Sequence, residues 1–170
     1  MNLNDHRDIR APRTDVWAAI LDPEVLCACI PGCESMTGSV ADGFEAVVVQ
    51  KVGPVKARFT GAVAISDVVE GQSCRISGEG KGGPAGFAKG GAVVRLEDIP
   101  EGTRLSYEVE ANVGGKLAQL GSRIIDGFAK KLADDFFGRF QTALEGPTDP
   151  DSAAAAEPEK KKGWIKRLIG

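Results

Sequence analysis

The sequence predicts an α+β fold in which a curved seven-stranded antiparallel sheet wraps around one long C-terminal helix. Two patterns support this prediction. From Cys33 to Val113, apolar residues recur with a period of two, and turn signals fall at hairpin spacing. From Leu117 to Leu144, apolar residues recur mostly four apart, which is helical spacing. A sheet of this size must curl, and the long helix is the only element able to fill its concave side.

The N-terminal part is expected to form one strand and two short helices. Residues 2–9 alternate weakly before Pro12 and predict the first strand. Thr14 is the expected N-cap of a helix over residues 15–21. A second helix is expected over residues 23–30, with a proline at its first position.

Six further strands follow, separated by turn signals such as Asp42-Gly43 and the glycine-rich segment 80–86. The clearest strand places Phe59, Gly61 and Val63 on one face, with charged residues opposite for its early part. One apolar face and one polar face indicate an antiparallel sheet that is covered on one side only. The six predicted strands cover residues 34–40, 44–52, 55–68, 74–80, 90–98 and 103–113.

The C-terminal helix is predicted as one continuous element from Gly115 to Leu144. A ladder of residues four apart drifts by about 40° per step around a helix of 3.6 residues per turn. The apolar stripe must therefore spiral. We expect the helix either to wrap a curved surface or to bend at Gly127 or Gly138, because glycine inside a helix costs about 1 kcal/mol relative to alanine.

The inward-facing positions of the predicted sheet are often small, as at Ala57, Gly61 and Gly78. A helix against such side chains either packs tightly or leaves a space, and the sequence does not decide between the two. A space would be apolar and elongated, which suits a lipophilic ligand. The residues expected to line it are Phe59, Gly61, Val63, Gly78, Val94, Leu96, Tyr107, Val109, Leu117, Leu120, Ile124, Phe128 and Leu132.

Charge and composition divide the chain into a domain over residues 1–145, a flexible linker over 146–159 and a basic tail over 160–170. The formal net charge is -3, and the tail carries five cations and no acid, so the remainder carries -3 minus +5, or -8. An acidic body does not indicate nucleic-acid binding. The absence of a signal-peptide pattern and of a long apolar run predicts a cytoplasmic protein.

The tail has the pattern of a basic amphipathic helix with an aromatic anchor. One interpretation is a solvated tail without a role, and another is reversible docking on an anionic bilayer or on a partner. Each cation near an anionic surface contributes about 1 kcal/mol, which favours weak membrane attachment. The predicted docking residues are Lys160, Lys161, Lys162, Trp164, Ile165, Lys166, Arg167, Leu168 and Ile169.

Catalytic and metal-binding signatures are thin. His6 is the only histidine and has no evident nucleophile or acid partner, so no catalytic residue is predicted. Cys27, Cys29 and Cys33 form a cluster, but a structural zinc site needs a second ligand pair, which is missing. We therefore expect no metal and interpret the cysteines as packing residues.

Three segments are similar to those of the CoxG family of carbon monoxide dehydrogenase proteins. They are ACIPGCESM at 28–36, GPVKARFTGAVAI at 53–65 and GKGGPAGFAKGGAVVRLE at 80–97. The resemblance covers residues 1–144 and includes the order of the elements. It implies the helix-grip fold of the START-like, Bet v 1-like (SRPBCC) superfamily. No catalytic motif transfers with it.

The resemblance implies a partner, a molybdenum-containing hydroxylase of the aerobic carbon monoxide dehydrogenase type, and a role at the membrane. Together with the expected cavity and tail, it suggests a carrier of an isoprenoid quinone, menaquinone or ubiquinone. Such a carrier would pass quinone or electrons between the enzyme and the inner face of the cell membrane. One alternative is a ligand-free recruitment or maturation factor. Another is an enzyme of the cyclase or hydrolase kind, for which His6 or Tyr107 would have to converge on the cavity.

Overall fold

The computed structural model describes residues 2–145. These residues form one antiparallel sheet, two short helices after its first strand and a helical C-terminal part. The elements are β1 (Asn2–Ile9), α1 (Arg13–Ile20), α2 (Pro23–Cys29), β2 (Cys33–Ser39), β3 (Gly43–Val52), β4 (Val55–Val69), β5 (Ser73–Lys81), a 3₁₀ turn (Gly83–Ala85), β6 (Phe87–Ile99), β7 (Gly102–Gly114), α3 (Lys116–Gln119) and α4 (Ser122–Glu145).

The sheet has seven strands in the order β1-β7-β6-β5-β4-β3-β2, and all neighbouring strands are antiparallel. This confirms the predicted sheet. The strand bounds lie close to the predicted ones, and the largest difference is at β6, which begins at Phe87 rather than at residue 90. Phe87 belongs to the strand because it pairs with Gly114 of β7.

The short helices begin differently from each other. Pro12, in an extended conformation, occupies the N-cap of α1, so the prediction of Thr14 as the cap is wrong and Thr14 lies inside the helix. At α2 the Asp22 carboxylate accepts a hydrogen bond from the Glu24 N–H at 2.9 Å, and Pro23 takes the first helical position as predicted.

The prediction of one continuous C-terminal helix is wrong. The helix is interrupted between α3 and α4, where Gly121 has a φ of +89°. This left-handed conformation ends a helical segment, and glycine adopts it without the steric cost of a Cβ. The predicted bend sites Gly127 and Gly138 both lie within α4.

Strand register fixes which residues face α4. Phe44 pairs with Val63, Val63 with Gly78, and Gly78 with Gly90, so these positions share the inner face across four strands. The buried core lies at the other end of that face, between β1, β6, β7, the two short helices and the C-terminal half of α4. Its members are Ile9, Ala11, Val16, Trp17, Ala19, Ile20, Val25, Leu26, Cys29, Cys74, Val94, Leu96, Leu105, Tyr107, Phe137, Phe140 and Leu144.

Candidate ligand site between the sheet and the C-terminal helix

The inner face of the sheet has two parts. In the first, which we call the closed half, α1, α2 and residues 134–145 of α4 pack directly on β1, β6 and β7. Phe140 and Leu105 have no exposed surface there. The ring of Phe137 stacks on Tyr107 with centroids 4.6 Å apart. Side chains therefore fill the space between helix and sheet.

Three predicted ligand contacts lie in this closed half. Val94 is 4% exposed, Leu96 is 7% exposed and Tyr107 is 4% exposed, and all three belong to the packed core. Their inward orientation is as predicted, but large helix side chains cover them. The structure therefore places them in the core and not along an open space.

The second part, which we call the open half, comprises residues 122–133 of α4 and the inner faces of β3, β4 and β5. A Cβ at Gly78 would contact only Ala62 O at 3.6 Å and Val63 Cγ2 at 3.7 Å. A Cβ at Gly80 would contact only Phe59 Cβ at 3.8 Å. No α4 atom lies within 4 Å of either position, so helix and sheet do not touch here.

Apolar side chains in and beside the open half remain partly exposed. Ile124 is 42% exposed. The other predicted site residues that are half-buried are Phe59, Gly61, Val63, Gly78, Val109, Leu120, Phe128 and Leu132. Water therefore reaches an apolar surface made by both the helix and the sheet.

Loop and turn residues form the rim of the open half. A Cβ at Gly53, in the β3–β4 turn, would lie 3.6 Å from Ile124 and 4.0 Å from Leu120. The Phe59 ring covers Gly82 so closely that a Cβ there would lie 2.5 Å from it. Leu117 is 3% exposed, so this predicted ligand contact is buried at the α3 end.

One polar cluster lies on the inner face, at the boundary between the two halves. Arg7 of β1 forms an ion pair with Asp134 of α4, and its guanidinium carbon lies 5.6 Å from the centre of the Phe137 ring. Burial opposes the charge, but hydrogen bonds with Asp134 and Tyr107 outweigh it and raise the pKa of Arg7. Burial also raises the pKa of Tyr107, so its hydroxyl is protonated at neutral pH.

Sequence reasoning missed three members of this cluster, Arg7, Asp134 and Phe137. A signal existed for Arg7, because Leu3 and Ile9 lie at odd-numbered positions of the same strand and predict that Arg7 faces inward with them. Helical spacing alone places Asp134 on the solvated face of the helix. Its side chain is 52% exposed but also reaches Arg7.

Two further hollows lie outside the open half. One, of about 930 Å³, crosses the outward face of β3 to β7 and is lined by side chains such as Glu45, Arg75 and Lys89. Val63 and Gly78 also border it, from their outward side. The other, of about 370 Å³, lies between α2 and α4. Neither is lined by the predicted α4 residues.

The cysteine cluster shows packing and no metal geometry. Within residues 2–145, no group of three or more histidine, cysteine or acidic residues is arranged to hold a metal ion. Burial raises the pKa of the Cys29 thiol to about 11 and that of Cys33 to about 12, where a hydrogen bond with Cys27 adds to the effect. Protonated thiols are poor metal ligands.

The predicted linker and docking tail, residues 146–159 and 160–170, lie outside the described residues. Between residues 2 and 145 there is no helix with the length and the apolar composition that crossing a bilayer requires.

Comparison with known proteins identifies relatives of both the sequence and the fold. The family model of the carbon monoxide dehydrogenase protein CoxG matches residues 6–145. A conserved protein from Geobacillus kaustophilus is 31% identical in its crystal structure, with a TM-score of 0.79 over 85% of this chain and 95% of that chain. The comparison with curated proteins gave no match.

More distant structures share the fold alone. A START superfamily protein from Mycobacterium smegmatis is 12% identical and has a TM-score of 0.63, over 85% of this chain and 97% of its own. A Thermus thermophilus protein is 15% identical, with a TM-score of 0.63 over 92% of this chain and 100% of that chain. These neighbours confirm the predicted helix-grip architecture.

Proposed function

Because this chain belongs to the CoxG family of carbon monoxide dehydrogenase proteins, we propose that it is a non-catalytic accessory protein of a carbon-monoxide-dehydrogenase-type molybdenum hydroxylase. Its open half binds a lipophilic ligand, an isoprenoid quinone such as menaquinone or ubiquinone. Its basic tail docks on the inner face of the cell membrane from the cytoplasm. The protein thereby passes quinone or electrons between the enzyme and the respiratory membrane.

The observation that carries this proposal is the uncovered apolar surface of the open half. Leu132 and Phe128 on the helix and Val63 and Val109 on the sheet are only half-buried, and α4 leaves a gap over Gly78. Covering apolar surface gains about 25 cal/mol per Å². A long, narrow apolar ligand would cover the helix and sheet surfaces together.

The separation of the two candidate catalytic residues supports a non-catalytic role. His6 is exposed and lies opposite Ser106 on the outward face of the sheet. Tyr107 lies in the packed core against Phe137. The two residues therefore lie on different faces, and general acid–base chemistry needs groups that reach one substrate atom.

A ligand-free recruitment factor is the second candidate. It is favoured by the closed half, where the helix already fills the grip through Phe137 and Phe140. In that case the fold would be a platform for the tail, and changes in the open half would be harmless.

The test uses the full chain and a matched pair of variants. Gly78→Leu fills the open half, and its Cβ meets no atom closer than 3.6 Å. Ala62→Leu on the adjacent strand points outward and serves as the control. Gly61→Phe is unsuitable, because its Cβ would lie 2.9 Å from the Glu79 carbonyl oxygen.

Native mass spectrometry after mixing with decylubiquinone should show one bound molecule per chain for wild type and Ala62→Leu, and a loss of binding for Gly78→Leu. Wild-type protein that stays empty would overturn the carrier proposal. The recruitment factor predicts instead that only Trp164→Ala and Ile165→Ala, in the tail, abolish activity of the partner system.

A further inference from the structure

We infer that Arg7 and Tyr107 anchor the polar head of the ligand and select an uncharged carbonyl over a carboxylate. This inference rests on the proposed function, since it assigns a head-group site to the same open half. It concerns a residue, Arg7, whose charge the fold alone does not explain.

The position of the pair fits an anchor at the inner end of an apolar channel. Tyr107 is two residues from Val109 on β7, and both face inward. Val109 is half-buried beside the open half, whereas Tyr107 is covered by Phe137. The apolar surface therefore ends where the Tyr107 hydroxyl and the Arg7 guanidinium meet.

The hydrogen-bonding groups of the pair are incompletely used. Arg7 Nε is buried and has no hydrogen-bond partner among the described residues. A buried donor without an acceptor is costly, and native structures rarely leave one so. The guanidinium interacts with the Tyr107 hydroxyl oxygen, an arrangement that leaves the Tyr107 proton free for an acceptor. A carbonyl oxygen is an acceptor that both groups can use, after a small shift of the Arg7 side chain.

The charge balance of the cluster decides between classes of head group. The Arg7 cation is paired with Asp134, and Asp5, directly opposite Tyr107 in the β1–β7 register, adds a second acid. One cation and two carboxylates leave a net charge of about -1 at the anchor at neutral pH. A fatty-acid carboxylate would be repelled there, whereas a neutral quinone or ketone carbonyl would not.

The experiment measures binding of two probes with alkyl tails of similar length, decylubiquinone and dodecanoic acid, to the full chain by titration calorimetry. Wild type should bind the quinone at least tenfold more tightly than the acid. Arg7→Gln and Tyr107→Phe should each weaken quinone binding by about tenfold, since a hydrogen bond to a charged group is lost or loosened. Asp134→Asn should reduce the preference against the acid.

The matched control is Arg104→Gln. Arg104 also pairs with a β1 carboxylate, with its Nε 2.8 Å from Asp8, but on the outward face, and its loss should leave both affinities unchanged. An infrared readout separates anchoring from stability. The carbonyl stretch of bound, ¹³C-labelled quinone should be lower than in detergent for wild type and Arg104→Gln, and should revert for Arg7→Gln.

The outcomes distinguish the two levels of the proposal. Quinone binding that Gly78→Leu abolishes but that Arg7→Gln and Tyr107→Phe leave intact would overturn the anchor and retain the proposed function. Tighter binding of dodecanoic acid than of the quinone would overturn the selection of a neutral head. Failure of wild type to bind either probe would overturn both.

Discussion

The closed and open halves share one sheet and one helix, yet side chains fill only the closed half. In the closed half, α4 presents Phe136, Phe137 and Phe140 in mutual ring contact, opposite large residues such as Leu105. In the open half, the sheet presents small residues, among them Gly78. Side-chain volume on the sheet, and not the path of the helix alone, thus determines where an internal space is left.

The largest difference between the halves should appear in stability. Phe140→Ala removes a fully buried ring and should lower the free energy of unfolding by about 3–5 kcal/mol. Phe128→Ala, in the half-buried N-terminal part of α4, should cost less than about half of that. Urea denaturation followed by circular dichroism measures both, and equal losses would show that the open half is packed in solution.

A smaller effect concerns pH and the closed half alone. Burial raises the pKa of Cys29 from 9.0 to about 11 in the folded protein, so folding favours the protonated thiol. The stabilisation is complete below pH 9 and is lost as the pH rises toward 11. Wild type should therefore lose on the order of 2 kcal/mol more than Cys29→Ala over this range.

Urea midpoints at pH 8, 9, 10 and 11 provide the measurement, and the constant cost of the Cys29→Ala cavity is removed by comparing slopes. Parallel pH profiles for the two proteins would mean that the thiol is not buried, and that the closed half is looser than described.

The smallest effects concern the joint at the open end. Gly121 has a φ of +89° and empty space around its Cβ position, so Gly121→Ala should destabilise by about 1 kcal/mol through backbone strain alone. Gly127→Ala, inside α4 and equally uncrowded, should stabilise by about 0.5–1 kcal/mol. Thermal unfolding of both variants would show opposite shifts, and shifts of the same sign would contradict the helix break.

The sheet could be predicted from the sequence because turn residues mark both ends of its strands. Strand β4 covers Val55–Val69 against a prediction of 55–68, since Gly53-Pro54 and Glu70-Gly71 limit it on either side. The helix break was missed although Gly121 precedes a serine, because an uninterrupted apolar ladder outweighed the sequence Gly-Ser, which can end one helix and begin the next.

The site was less predictable than the fold. Alternation indicates that Val94, Tyr107 and Val63 face inward, but it carries no information on the distance to the opposing element. That distance depends on which neighbouring helix residue fills the gap. Phe137 does so beside Tyr107, and the four-residue ladder counted only its neighbours Phe136 and Phe140.

The contacts between β1 and α4 join the first and last described elements of the chain. The Arg10 N–H donates to Glu145 at 2.8 Å across 135 residues of sequence, and Gln141 donates to the Asp8 carbonyl at 3.0 Å. During synthesis the inner face of the sheet therefore stays uncovered until the final helix has emerged. Contacts this distant in sequence slow folding, and the uncovered apolar sheet is prone to aggregate while it waits. A chain cut short before α4 is a hazard to the cell and not a smaller working protein.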